Sequence, residues 1–295
     1  MPRIISVTGQ KGGIGKTTAT VHIAARLADL GYKTCIIDFD TTQSNATRCL
    51  LGPVWEEENN LPGICDLMAN GGEIDSVIYE TPRENLYIIP SEKKDKRGAN
   101  YNIEAILNQL GLEGFSLLKE LIDASKKLES MHFVLIDNAP SLGITTVSAL
   151  IASDYFLIPV QTADLSMESI GDTITAAFKV KKLQNEYLEP LGFFVASMDK
   201  RPKMAKKAIG ELMDLAVDSG IHFYESIIPI STKFAFLPRD RKTIYDVTKP
   251  SDRGHKEYIM LVDEILERIM EIETVETNTV PPKSNNTQTE IRAGV

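Results

Sequence analysis

A predominantly parallel, twisted α/β sheet with helices on both faces is the fold that this sequence predicts, and three observations point to it. Short β-branched or apolar runs alternate with helix-period segments along almost the whole chain, the pattern left by strand–helix–strand crossovers. Several of those runs are apolar throughout, as strands covered on both faces are. The 295 residues are 43% hydrophobic and 25% charged, enough to bury such a core without disulfides or metals.

The first strand is read at Arg3 to Thr8, ending at Gly9. A glycine-rich loop follows, then a helix from Thr17 to Leu30, whose Val21, Ala24, Ala25 and Ala28 recur at helical spacing and which Gly31 stops. Lys33 to Asp38 (KTCIID) reads as a second, interior strand. Further strands are expected at 86–89, 133–136, 155–160, 193–196 and 226–228, separated for the most part by helical stretches near 101–129, 143–152, 166–188, 203–218 and 252–272. No internal repeat or linker divides the chain, so residues 1–272 read as one domain. Residues 273–295 are polar and poor in aromatics, and are expected to be a disordered tail.

Composition excludes several classes. No run of eighteen apolar residues is present, which removes a membrane-spanning helix. The opening MPRIISVTGQKGG lacks a secretory signal, so a cytoplasmic protein is expected. Cys35, Cys49 and Cys65 share no metal-ligand spacing and read as reduced core thiols. A net charge of −9 excludes a protein basic all over but allows a local basic patch. His22 reads as a helix-surface or packing residue, Met167 as helix core and Trp55 as loop packing.

The informative segment is Gly9-Gln10-Lys11-Gly12-Gly13-Ile14-Gly15-Lys16-Thr17-Thr18, between a strand and a helix start. Glycines there let backbone N–H groups converge on phosphate oxygens, and the helix N-terminus adds its positive dipole end. Lys16 would reach the β- and γ-phosphates of a nucleotide, and the Thr17 hydroxyl would ligate Mg²⁺. The order KGGxGK[ST] arises by chance on the order of once in ten million positions, so its place between strand and helix is no coincidence. The strict phosphate-loop pattern wants Gly at position 10, where this chain has Gln, and Lys11 is an additional cation.

KGGIGKTT resembles the deviant phosphate loop of the ParA/MinD ATPases, a Soj-like P-loop NTPase family in which the early lysine is the defining residue. The resemblance implies ATP and Mg²⁺ as cofactors, a nucleotide site formed by Lys11, Gly12, Gly13, Ile14, Gly15, Lys16, Thr17 and Thr18, and a homodimer around two ATP molecules. In that dimer Lys11 of each subunit would reach the phosphates bound by the other, which couples nucleotide state to association. Asp38-Phe39-Asp40-Thr41-Thr42-Gln43-Ser44-Asn45 is similar to the family's DxDPQGN, without its Pro and Gly and with one more residue before Asn45. By this match Asp40 orients the attacking water and the Mg²⁺ shell, beside Lys11 and Lys16 as catalytic groups. Phe133 to Asp137 has the form of a Walker B strand, with Asp137 toward the metal, and Asn138-Ala139-Pro140-Ser141-Leu142-Gly143 resembles DxPPSLG. Leu157 to Gln161 matches IPVQ, and Glu168 falls where the family often has a glutamate. In Ile228 to Lys233, resembling IPRNVR, Pro229 and Ser231 would border the adenine. The resemblance covers residues 3–270 and is weakest over 91–131.

The family binds double-stranded DNA without sequence preference, which needs phosphate-neutralising cations on one surface. Candidates are Lys200, Arg201, Lys203, Lys206 and Lys207, a stretch free of acids, and a second group of Lys233, Arg239, Arg241 and Lys242. The resemblance therefore implies a weak ATPase that partitions plasmid or chromosomal DNA on the nucleoid, with hydrolysis stimulated by a ParB-like partner. A relative that positions a protein cargo is the alternative. A membrane-bound, MinD-like role is disfavoured by the acid-rich last helix, Glu257 to Ile272, and by the polar end EIRAGV. A nitrogenase-iron-protein-like role fails because all three cysteines precede residue 66. A small-molecule kinase or ligase would need an acceptor pocket that the sequence does not reveal.

Overall fold

The computed structural model describes residues 1–52, 61–92, 101–162, 166–198, 202–230 and 241–279. Eight strands form one sheet: β1 (Arg3–Val7), β2 (Thr34–Phe39), β3 (Tyr79–Glu80), β4 (Leu86–Ile89), β5 (Phe133–Asn138), β6 (Tyr155–Gln161), β7 (Glu189–Met198) and β8 (Phe223–Pro229). Their spatial order is β3-β4-β2-β5-β1-β6-β7-β8, and every pairing is parallel except that of the two-residue β3 with β4. The predominantly parallel α/β fold is as the alternation of apolar runs predicted.

Side chains alternate across the sheet. Ile5, Val7, Ile36 and Leu135 face α1 (Lys16–Asp29) and the last long helix, while Ile4, Cys35, Ile37, Phe39, Val134 and Ile136 face the opposite helical layer. On that second face lie α3 (Ile64–Asn70), α4 (Ile103–Gln109), α5 (Glu113–Asp123), α6 (Lys126–Glu129), α7 (Ile144–Ile151), α8 (Met167–Leu183) and α9 (Pro202–Ser219). The remaining helices are α2 (Asn45–Leu51), α10 (Ile244–Val247) and α11 (Arg253–Thr279), with a 3₁₀ turn at Ile74–Val77.

Three boundaries differ from the sequence reading. The stretch 101–129 is not one helix but three, broken at Gly111, whose φ of 61° is left-handed, and restarted at Ser125, whose side chain caps Leu128 N–H. The helix read at 166–188 stops at Leu183, and Asn185 then donates to the carbonyls of Leu150, Ile151 and Ser153. The last helix runs to Thr279, past the expected boundary at 272. Its apolar stripe, Tyr258, Leu261, Val262, Ile265 and Ile269, is buried against α1 and the sheet. Arg3 also donates two hydrogen bonds to the Glu273 carboxylate (2.6 and 2.8 Å), tying the extra turn to the first strand. At about 1.5–3 kcal/mol for each fully buried side chain, the stripe outweighs the poor helix formers that follow it.

The outer edge of β8 is closed by carboxylates of α11. Glu264 accepts from Glu225 N–H (2.9 Å) and from the Ser226 hydroxyl, and Glu257 accepts from Ile227 N–H (3.2 Å). The three cysteines are buried and unbridged, as expected. His22 is a packing residue, buried with its ring edge-on to Tyr258 at 4.9 Å, and burial pushes its pKa down to about 3. Met167 is half-buried against the α8 core, and Trp55 lies outside the described residues.

Candidate nucleotide site

The C-terminal ends of β1, β2 and β5 converge, and the loop after β1 closes over them. Gly13 and Gly15 take φ of 76° and 96°, conformations that a side chain would strain. A Cβ on Gly9 would lie 2.5 Å from Ile14 Cδ1, so Ile14 folds back over its own loop. Gly15 is the N-cap of α1, with no side-chain cap and no acid in the first turn. The first N–H groups of that helix are thus left to an anion. Gln161, at the end of β6, donates to the Gly13 carbonyl and tethers the loop from the other side.

A cleft of ≈ 150 Å³ is lined by Gly12, Gly13, Gly15, Lys16, Thr17, Thr18, Asp40, Gln43, Asn45 and Pro140. Lys16 is buried, and its Nζ donates to the Lys11 carbonyl at 3.2 Å. Burial lowers the Lys16 pKa, while Asp137 and Asp40 act to raise it. Asp40 is buried at the cleft wall. Its Oδ1 accepts from Thr42 N–H (3.2 Å), Thr42 Oγ1 (2.6 Å) and Gln43 N–H (3.3 Å). Ser44, four residues after Asp40, is fully buried and left-handed at φ 51°, ψ 40°, which costs a side-chain-bearing residue about 1–2 kcal/mol.

Beneath the cleft lies a layer of carboxylates. Asp38 and Asp137 are register partners on β2 and β5, and both are fully buried. Asp38 Oδ2 accepts from Thr47 N–H (2.8 Å) and Thr47 Oγ1 (2.7 Å), but its Oδ1 has no hydrogen-bond partner among the described residues. The same holds for both oxygens of Asp137, for Thr8 Oγ1 and for Asn138 Oδ1. Burial, and then the charge of Asp38, pushes the Asp137 carboxyl well above the usual carboxylate range, against the Thr17 hydroxyl and Lys16. Asp38 is pushed up to about 7, by burial first, with Asp40 adding to the shift. Each unpaired buried polar atom costs about 1–3 kcal/mol, so five of them on one sheet end mark a place prepared for a ligand. A hydrated divalent cation fits these oxygens and the Thr17 hydroxyl by charge and donor type.

The structure therefore brings together Gly12, Gly13, Gly15, Lys16, Thr17, Thr18 and Asp40, with Asp137 below them. Lys11 and Ile14 line a shallow neighbouring depression with Gln10, Pro159, Gln161 and Ser166 instead. Pro229 ends β8 on the same edge of the sheet but does not line the cleft, and Ser231 lies outside the described residues. Glu168 is exposed in the first turn of α8. Among the basic candidates, Lys203, Lys206 and Lys207 are exposed on the opening turns of α9, which follows the C-terminal end of β7. Arg241 and Lys242 are not beside them: they line a separate cleft with Asp29, Glu84 and Asp246, near the far end of α1. Lys200, Arg201, Lys233 and Arg239 lie outside the described residues. The sequence reading assigned no role to Asp38, Gln43, Asn45, Pro140 or Gln161. Two apolar strands both ending in Asp were the available signal for Asp38.

Glycine loop, buried lysine and strand-end carboxylates on a parallel sheet define a phosphate-loop nucleotide-binding fold. An AAA domain matches residues 2–190. The chain is 30% identical over 267 residues to the sporulation initiation inhibitor protein Soj of Bacillus subtilis, covering 90% of this chain and 98% of that one. It is 29% identical over 270 residues to the chromosome partitioning protein ParA of Myxococcus xanthus, covering 90% and 88%. The solved structure of cobyrinic acid a,c-diamide synthase from Mycobacterium smegmatis, with bound ADP and magnesium, shares the fold at a TM-score of 0.73 and 22% identity, covering 92% and 96%. The chain belongs to the ParA/MinD family of phosphate-loop ATPases.

Proposed function

We propose that this protein hydrolyses ATP slowly, pairs with a second copy when ATP and Mg²⁺ are bound, and as a pair holds DNA without sequence preference on the nucleoid. Its task is to partition plasmid or chromosomal DNA, with hydrolysis stimulated by a ParB-like centromere-binding partner. The observation that carries this reading is the divergence of two lysines of one loop. Lys16 lines the cleft, whereas Lys11 borders the depression outside it. A loop lysine that does not line its own cleft suits a role toward a neighbour's phosphates. Similarity to the chromosome partitioning protein ParA of Myxococcus xanthus supports the partition task.

In the reaction, Lys16 and the backbone N–H groups of Gly12 to Thr18 hold the phosphates, and Thr17, Asp40 and Asp137 hold the Mg²⁺ shell. Bound magnesium supplies charge neutralisation at the phosphates. Asp40 orients the water that attacks the γ-phosphorus; ADP leaves. The exposed lysines Lys203, Lys206 and Lys207 favour a DNA surface centred on α9; Lys207 also pairs with Glu211 at 3.5 Å, a solvent-exposed contact that phosphate can displace. Among the described residues no helix is long and apolar enough to cross a membrane, and the apolar stripe of α11 is committed to the core.

Light scattering with a non-hydrolysable ATP analogue and Mg²⁺ tests pairing: the wild type dimerises, and Lys11→Ala binds the analogue yet stays single. A monomeric wild type, or a normal Lys11→Ala dimer, defeats the reading. Filter binding tests the surface, with retention of DNA in ATP but not ADP and a steep fall with salt.

A further inference from the structure

We infer that Ser91 is a positioning residue for Asp40, acting through Ser44. This rests on the reading of Asp40 as the group that orients the attacking water. The Asp40 loop closes through Ser44 N–H donating to the Asp40 carbonyl at 2.8 Å. Ser44 lies in the left-handed region without being a glycine, and its hydroxyl donates to Ser91 Oγ at 3.3 Å. Ser91 sits just past β4 and is itself fixed, because its N–H donates to Thr47 Oγ1 (2.9 Å) and that hydroxyl donates to Asp38. Ser44, Thr47 and Ser91 are all fully buried, so water does not substitute for any link.

The chain of hydroxyls thus runs from the carboxylate layer under the cleft, across to β4, and back to the turn that presents Asp40, Gln43 and Asn45 to the cleft. A left-handed serine returns to ordinary backbone geometry once its hold is removed, whereas glycine needs no hold. Ser91 therefore matters to Asp40 only as long as residue 44 carries a side chain.

Steady-state ATP turnover and amide exchange over residues 41–45 test this together. Ser91→Ala is expected to lower kcat about five- to tenfold with KM for ATP within about twofold, and to speed exchange in the loop. The double variant Ser44→Gly/Ser91→Ala is expected to recover kcat to within about twofold of wild type, a rescue that a merely structural role of Ser91 does not give. Unchanged kcat in Ser91→Ala, or a loss that Ser44→Gly does not rescue, overturns the inference. If the wild type itself turns over no ATP, the hydrolase reading falls, and loop exchange alone then decides: unchanged exchange in Ser91→Ala defeats the link, faster exchange upholds it.

Discussion

Two loops face the same cleft and solve the same backbone problem differently. The phosphate loop places left-handed turns at Gly13 and Gly15, where the absence of Cβ makes them free of strain. The Asp40 loop places one at Ser44, where a buried hydroxyl contact holds what the residue does not favour. The first loop takes its shape mainly from its own glycines, with one outside tether from Gln161. The second is shaped by a network reaching another strand, so its geometry depends on surroundings. A binding element gains from permanence, and a hydrolytic element gains from being adjustable.

The largest effect should come from the adjustable side. Asp40→Ala is expected to reduce ATP turnover about 10²–10³-fold while leaving a long-lived ATP-bound pair, read by phosphate release and light scattering. Wild-type turnover in that variant removes Asp40 from the chemistry. On the permanent side, Lys16→Ala should weaken ATP about 100-fold in calorimetry, because a buried ammonium–phosphate interaction is lost while the loop backbone remains. An unchanged affinity would show that the backbone cradle suffices.

Exchanging the residue types sharpens the contrast. Gly15→Ala adds a Cβ at 3.2 Å from Ala196 Cβ on a left-handed backbone, and should cost about 1–3 kcal/mol in denaturant unfolding. Ser44→Gly should shift stability by only about 0.5 kcal/mol either way, since relief of strain offsets the added freedom of the unfolded chain. Equal costs at both positions would erase the distinction.

A further effect, seen only as a change with pH, concerns the carboxylates beneath both loops. The folded Asp38 carboxyl titrates at about 7, above an ordinary carboxylate near 4, so the native state binds the extra proton between those values. Stability from this group is therefore full below about pH 4 and lost as pH rises through about 7. Asp38→Asn, which keeps an acceptor for Thr47, should melt about 2–4 °C above the wild type at pH 8 without nucleotide, with the gap closing toward pH 4. A gap that widens on acidification contradicts the assignment.

Much of this was legible in sequence because the signals are local. Gly9 to Thr18 declares its own turn and helix start within ten residues, and Asp40 and Asp137 each stand at the end of an apolar run. The hold on Ser44 was not legible, since Ser91 lies 47 positions away, just past another strand, and a serine after a strand says nothing of its neighbours. α2 and α3, seven residues each, were too short to show a helical period. The continuation of α11 was hidden because ETVETNT is polar, and what holds it is long-range: Glu273 accepts from Arg3, 270 positions away, and from the Tyr155 hydroxyl.

Glu257 and Glu264 seal one flank of the sheet. A second copy meeting that flank finds its backbone donors already engaged and two negative charges in the way. Neighbouring copies therefore do not extend their sheets into one another at this flank, and any contact between them has to be made elsewhere on the surface.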